Sequence, residues 1–248
     1  MVTALPPNPP MVLSQVYNVR ATDVMPVSPF KGLRAEAQKE AAYSLGVQAG
    51  VSWRYDQINN VLWAQAAVLD QLYNFRPMML NDGKVMPPVV TMGEDTFDLQ
   101  DRTTAQGSIV TWHIIAPAKI VSVVPTWASY LIQHYGVDLS SVNAALLPKN
   151  DAEKKLWHTY VMQGWSDGID HANRLYTIAL ANLTRDFLGV ARFQLLAREG
   201  MLSVPDLAVG DMGVVINKDT MLVGAKVYRI VEDAKWQKIQ AWQAHPGS

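Results

Sequence analysis

Five histidines (His113, His134, His158, His171 and His245) and a scatter of carboxylates are the side chains with which this chain could do chemistry. No two histidines stand in an H-x-x-x-H pair. Asp167 and His171 are four apart, so on a helix they would share a face and could supply half of a metal site. A working zinc site needs three or four ligands, and a solvated polar face accounts for the same pair. Glu94, Asp95, Asp98 and Asp101 crowd one polar segment. Two-carboxylate hydrolysis needs its acids facing each other across a pocket, and a cluster along a loop does not provide that. His113, between Trp112 and Ile114, reads as a hydrogen-bonded structural histidine. No P-loop and no G-x-G-x-x-G is present. A periplasmic metal-dependent hydrolase with its site near Asp167 and His171 is therefore the second reading; the first expects no cofactor and no metal.

Composition points the same way. The chain has 248 residues, enough to bury a substantial core without staples. Charged residues make up 17 %, against about 25 % in ordinary soluble domains, which leaves more surface for protein contacts. Net charge is −1 and the basic residues are dispersed. Duplex nucleic acid is held by clustered cations, so direct DNA or RNA binding is not expected. There is no cysteine, which removes disulfides, thiolate metal sites and thiol nucleophiles. No apolar run reaches the length of a membrane span.

The elements that must position these residues come from periodicity. Residues 1–30 hold Pro6, Pro7, Pro9, Pro10, Pro26 and Pro29; proline fixes φ and lacks a donor, which predicts an extended arm. From Leu33 to about Phe75, small and apolar residues recur at spacings of three and four, the pattern of one helix face. Residues 81–126 change character. NDG and MPP punctuate the start, GEDTFDLQDRTTAQG reads as a polar loop, and IVTWHIIA and KIVSVV read as two short strands paired with each other. A short helix begins near Thr126.

The long run from Asn150 to Gly200 reads as one helical region. Asn150 with Glu153 resembles a capping box, and Gly200 suits a left-handed stop. Gly189 is a candidate kink. GVVIN and TMLVGAKVYRIV read as a hairpin turning at Asn217-Lys218-Asp219. The fold class predicted is mainly α with a small β portion (α+β): an arm over 1–30, a helix-rich domain over 31–231, and a tail over 232–248 that forms a short helix presenting Trp236 and Trp242.

Gly46 and Gly50 form a small-xxx-small pair on the first long helical run, and Gly164 and Gly168 lie on the apolar stripe of the second. Glycine costs about 1 kcal/mol in a helix interior, so paired glycines predict a close crossing in which backbones meet. Arg54 and Asp170 flank these positions and are expected to pair between the helices. The residues expected to fix packing are thus Gly46, Gly50, Arg54, Gly164, Gly168 and Asp170. The arm prolines, Trp236 and Trp242 are the expected interface pieces.

The segments KEAAYSLGVQAGVSWR (39–54), LDQLYNF (69–75), VMPPVV (85–90), PTWASYL (125–131), LLPKNDAEKKLWHTYVMQGWSDGIDHAN (146–173) and LSVPDLAV (202–209) together resemble the DotC family, including the DotC-like TraI proteins of I-type conjugative plasmids. The likeness runs over residues 32–231, and the order of A-G-x-x-W-R, L-P-K-x-x-x-E-K-x-x-W and G-W-x-x-G-I-D-x-A-N is specific as a set. The resemblance implies a non-enzymatic subunit of the outer-membrane core complex of a type IVB secretion or conjugation system. It implies a periplasmic lipoprotein that assembles with DotD-like and DotH-like partners and with copies of itself in a ring, and that helps bring the DotH-like subunit to the outer membrane. The family's lipidated cysteine has no counterpart here; the expectation is that the sequence begins just after the removed anchor. A pilotin-like chaperone that leaves the finished complex is a third reading.

Overall fold

The computed structural model describes residues 11–19, 31–99 and 105–238. In chain order they form α1 (Met11–Tyr17), α2 (Lys31–Ala64), α3 (Ala66–Leu72), β1 (Val85–Met86), β2 (Val89–Leu99), β3 (Ala105–Ala116), β4 (Lys119–Ile120), α4 (Trp127–Leu131), α5 (Asp151–Arg198), β5 (Asp206–Asn217) and β6 (Thr220–Glu232). The fold is mainly helical with a smaller antiparallel β component, as the sequence predicts. The single domain expected over 31–231 instead resolves into two compact units. The first combines Met1–Leu69 with Leu131–Leu180, the second Asp70–Tyr130 with Ala181–Ser248. All described strands lie in the second.

In the first unit, α2 and the N-terminal part of α5 supply the core. α5 starts where the sequence says it should: the Glu153 N–H donates to Asn150 Oδ1 at 2.9 Å. The reciprocal bond reaches one residue further back than in a capping box, with the Lys149 N–H donating to Glu153 Oε2 at 2.9 Å. Trp157, Val161 and Trp165 of α5 pack with Ala42, Leu45 and Ala49 of α2. The arm departs from expectation. Its described part is the helix α1, not an extended strap, and Leu13, Val16 and Tyr17 join that same cluster. The reason is local: MVLSQVY contains no proline and places Leu13, Val16 and Tyr17 at helical spacing. The buried Trp157 Nε1 donates to the Val16 carbonyl at 3.0 Å, and the His158 ring stacks on Tyr17 at 3.6 Å. Polar groups of α2 hold the incoming loop. Ser52 Oγ donates to the Tyr135 carbonyl at 2.7 Å and Asn59 Nδ2 to the Gln133 carbonyl at 2.8 Å.

The helix expected to run unbroken to Phe75 is interrupted at Gln65. There the ladder tightens, with the Gln65 N–H donating to Leu62 O, three residues back. Neither Gly nor Pro marks the spot, so the sequence gives no warning of it.

In the second unit, α5 continues unbroken through Gly189 and ends at Arg198. Gly200 takes φ +71°, the Gly200 N–H donates to Ala197 O, and the Met201 N–H donates to Leu196 O. This is the Schellman pattern, with Leu196 and Met201 in one apolar cluster. Gly189 has another use: a Cβ there would land on the Val89 side chain and lie 3.0 Å from the Val90 nitrogen. α4 is pinned by Trp127 Nε1 donating to Asp70 Oδ1 at 2.7 Å and Tyr130 Oη donating to Asp186 Oδ2 at 3.0 Å.

The strands correct two expectations. IVTWHIIA belongs to β3, whose partner is β2, in register from Val89↔Ala116 to Leu99↔Ala105; the segment read as a polar loop is largely strand. KIVSVV contributes only β4, which pairs with β1 (Val85↔Ile120, Met86↔Lys119). The two could not form a tight hairpin with each other. Such turns need positive φ at a central residue, and Pro117 is held near −65°. β5 and β6 do form the expected hairpin, with Asn217↔Thr220 closing it and Lys218 at φ +45°. The tail is not helical where described. Residues 233–235 and 237–238 carry no regular element, and Trp236 bridges Leu202 as an isolated antiparallel pair.

Because α1 fills the core of the first unit, removing it should unfold rather than merely detach. Leu13 is 1 % exposed, so Leu13→Ala is expected to cost about 2–5 kcal/mol. Deleting residues 1–30 should lower the thermal midpoint followed by circular dichroism. An unchanged melt after that deletion would show that α1 is not part of the core.

Candidate functional site

The crossing of α2 over α5 is the most constrained place in the first unit. A Cβ on Gly46 would land on the Val161 carbonyl oxygen and lie 3.0 Å from the Trp165 nitrogen. One on Gly50 would meet the Trp165 carbonyl, with Gly168 Cα at 3.2 Å. From the other helix, a Cβ on Gly164 would strike the Tyr43 carbonyl, and one on Gly168 the Val47 carbonyl, with Val47 Cα at 3.0 Å. All four glycines named from the sequence therefore face backbone rather than side chains. Val51, Tyr55 and Ala172 form a buried cluster one step along the same interface.

The expected Arg54–Asp170 pair is not formed. Arg54 Nε donates to Asn173 Oδ1 at 2.8 Å, while Asp170 is exposed and makes no ion pair among the described residues. Asn173 lies three residues beyond Asp170, one helical step further along, and that offset decides the partner. The ion pair between these helices joins Arg34 and Glu153, which sequence reading did not couple. Arg34 Nη1 donates to Glu153 Oε1 at 2.9 Å and Nη2 to Oε2 at 3.3 Å. The same guanidinium donates to the carbonyls of Ala145 and Leu147, and Gln38 Nε2 reaches Glu153 Oε2 at 3.5 Å. One Arg thereby ties helix to helix and holds the 145–147 connector. Partial burial pushes the Glu153 carboxyl up, but the Lys149 N–H and the Arg34 guanidinium more than offset it, so its pKa lies below the ordinary 4.5. The signal for this clamp was present: Arg34 and Gln38 share a helix face, and Glu153 was already marked as a cap.

The residues considered for chemistry are dispersed or occupied. Tyr43 Oη donates to Asp167 Oδ2 at 2.9 Å, and that bond raises the Tyr43 pKa and keeps the phenol a donor. His171 is exposed, as are His113 and His134; the structural role expected of the His113 ring is not seen, and it is the His113 carbonyl that accepts a bond, at 3.5 Å from Thr91. Gly164-Trp165-Ser166-Asp167-Gly168 also spells G-x-S-x-G. A nucleophile elbow needs a strand-to-helix turn, and here the run lies inside α5 with both glycines committed to the crossing. Glu94, Asp95 and Asp98 lie on β2, and Asp101 falls outside the described residues. Among the described residues no three His, Asp or Glu side chains gather as a metal site. Two surface recesses, of about 440 Å³ beside Trp127 and Arg76 and about 300 Å³ beside Arg54 and Tyr176, include none of Glu94, Asp167 or His171.

Of the expected interface pieces, Pro6, Pro7, Pro9, Pro10, Pro26, Pro29 and Trp242 lie outside the described residues. Trp236 is 44 % exposed. The larger apolar exposure lies elsewhere. Val61, Trp63, Val68 and Ile178 in the first unit, and several valines and methionines of the β5/β6 hairpin in the second, present themselves to solvent. Sequence reading missed these positions because an apolar residue on a helix or strand is by default assigned to the core.

Against known proteins, residues 32–244 match the family described as type IV secretory system, conjugal DNA-protein transfer. No curated protein matches the chain.

Two substitutions test the site. Gly164→Ala gains up to about 1 kcal/mol of helix propensity but drives a methyl into a backbone carbonyl, and such overpacking costs about 1–3 kcal/mol or more; net destabilisation is expected in chemical denaturation. Gly32→Ala, with nothing within 4 Å of the new methyl, should be neutral or slightly stabilising. Glu153 makes the acid limb of stability. Its folded pKa is depressed, so its contribution is present above 4.5 and is lost as pH falls through the lower folded value. Glu153→Gln should lower the melting temperature at neutral pH and flatten its decline on acidification.

Proposed function

Since this chain belongs to the TraI family of type IV secretion subunits, we propose that it is a structural subunit of the outer-membrane core complex of a type IVB secretion or conjugation machine. It works by burying surface against neighbours. The observation that carries this is the apolar surface left open in both units, from Val61, Val68 and Ile178 to the β5/β6 hairpin, while the polar groups of the best-packed site are consumed in holding helices together. Apolar side chains left in water gain by being covered in an assembly.

In this reading DotD-like and DotH-like subunits and further copies of the chain cover that surface, and the chain helps place the DotH-like subunit at the outer membrane. It stands on the periplasmic side, and an N-terminal lipid that lies outside this sequence ties it to that membrane. Among the described residues no helix is long and apolar enough to cross a bilayer, which fits attachment of that kind. Transferred nucleic acid passes without direct contact, since basic side chains form no cluster in the sequence.

The test is recovery of the assembly. A tagged chain, purified from detergent-solubilised envelopes, should be retained with the DotH-like subunit in fixed proportion. Loss of the chain should deplete that subunit from the outer membrane and abolish transfer. A chain that aids delivery yet is missing from the purified complex would be a chaperone, and the structural reading would be wrong.

A further inference from the structure

The β5/β6 hairpin is an unusual object to leave alone. Its strands of 12 and 13 residues pair only with each other among the described residues. No further strand pairs with either outer edge among the described residues, although β4 approaches β6 and the Lys84 ammonium lies 5.2 Å over the Tyr228 ring; a two-stranded ribbon in water is marginal. Val209, Val214, Met221, Val223 and Val227 are exposed along it, Val223 at 73 %. Gly213 at φ +63° and Gly224 at φ +69° sit at irregularities in the register, where the ribbon twists.

Charge tells what completes it. β5 carries Asp206 and Asp211 and no basic residue. β6 carries Lys226 and Arg229, and its one acid, Glu232, is bound to Lys235 at 2.6 Å. Asp211 and Lys226 stand opposite in the ladder, yet none of Asp206, Asp211, Lys226 or Arg229 makes an ion pair among the described residues. One strand is thus acidic, the other basic; Asp211 Oδ1 accepts locally from the Gly213 N–H at 2.9 Å, and no opposite charge meets any of the four among the described residues.

We propose that this hairpin is a strand-pairing edge for a second copy of the chain, joined head to tail, with β6 of one copy beside β5 of the next. The ribbon carries both halves of the complementary pair, so no foreign strand is required. Pairing like edge to like would set Asp against Asp, or Lys and Arg against Lys and Arg, and like charges facing across a sheet are destabilising. Head-to-tail contacts propagate, closing into a ring or continuing as a filament according to the rotation per copy. The inference rests on the structural-subunit reading and adds to it the edge and the polarity of the contact.

The chain lacks cysteine, so introduced thiols report cleanly. Two forms of the full chain, differently tagged, are produced together and oxidised. One carries Ala208→Cys on β5; the other carries, in turn, Val227→Cys, Arg229→Cys or Val231→Cys on β6. Adjacent strands are about 4.8 Å apart, within disulfide reach, whereas two β5 strands separated by an intervening β6 stand at about twice that. A mixed disulfide should form for at least one combination, and Ala208→Cys alone should give none. Absence of every mixed disulfide, or equal linkage of Ala208→Cys to itself, overturns the proposal while leaving recovery of the chain in the complex unaffected. Reversing β6 (K226E with R229E) should cut the yield of the Ala208–Val227 or Ala208–Val231 link roughly tenfold. Pairing that form with one reversed on β5 (D206K with D211K) should restore it; an unchanged yield on reversal would also sink the idea.

Discussion

Contact between two peptide backbones organises the first unit. Where Gly46 and Gly50 of α2 meet Gly164 and Gly168 of α5, the space a Cβ would take at each glycine is already filled by backbone atoms of the other helix. Side chains can adjust by changing rotamer; a helical backbone cannot, so this crossing admits one separation and one register. Trp157, Val161 and Trp165 are placed against Ala42, Leu45 and Ala49 as a consequence. Glycine weakens each helix intrinsically, and that loss is offset by dispersion contacts that only bare backbones can make.

The polar residues of this unit follow from the same geometry. Once α2 and α5 are fixed, Arg34 reaches Glu153, Tyr43 reaches Asp167 and Arg54 reaches Asn173. Each bond spans the helix pair at a different level, so together they define its alignment along the axis. A carboxylate at Asp167 or a histidine at His171 looks available for catalysis when read as a string. In space the first is already a hydrogen-bond acceptor, and the second faces solvent with no companion ligands among the described residues.

Legibility in the sequence tracked the range of the interaction. Local chemistry could be read directly: the Asn150 cap, the Gly200 stop and the β5/β6 hairpin each depend on residues within a few positions. The glycine pairs were also legible, because two interior glycines four apart on a helix need a reason. Features set by distant partners were not. α1 was hidden by four prolines before and two after a seven-residue helix, whose three anchoring side chains find their pocket partly on α2 and partly on α5, more than a hundred residues away. β2 was hidden because a two-stranded ribbon can be wet on both faces, and so does not need the apolar alternation by which strands are recognised. The Arg54 partner was wrong by one helical step, which no sequence pattern distinguishes. The division into two units was invisible because α5 runs through the boundary at Leu180 without interruption.

The docking of α1 has a mechanical consequence. Tension on the chain ahead of Met11 enters the fold at a helix held by Leu13, Val16 and Tyr17 and by the Trp157–Val16 hydrogen bond. Three apolar anchors spread over two turns share the strain in parallel, with an indole as a stop, so a tug from upstream is met by shear across a greasy seam before it reaches the linkage to α2.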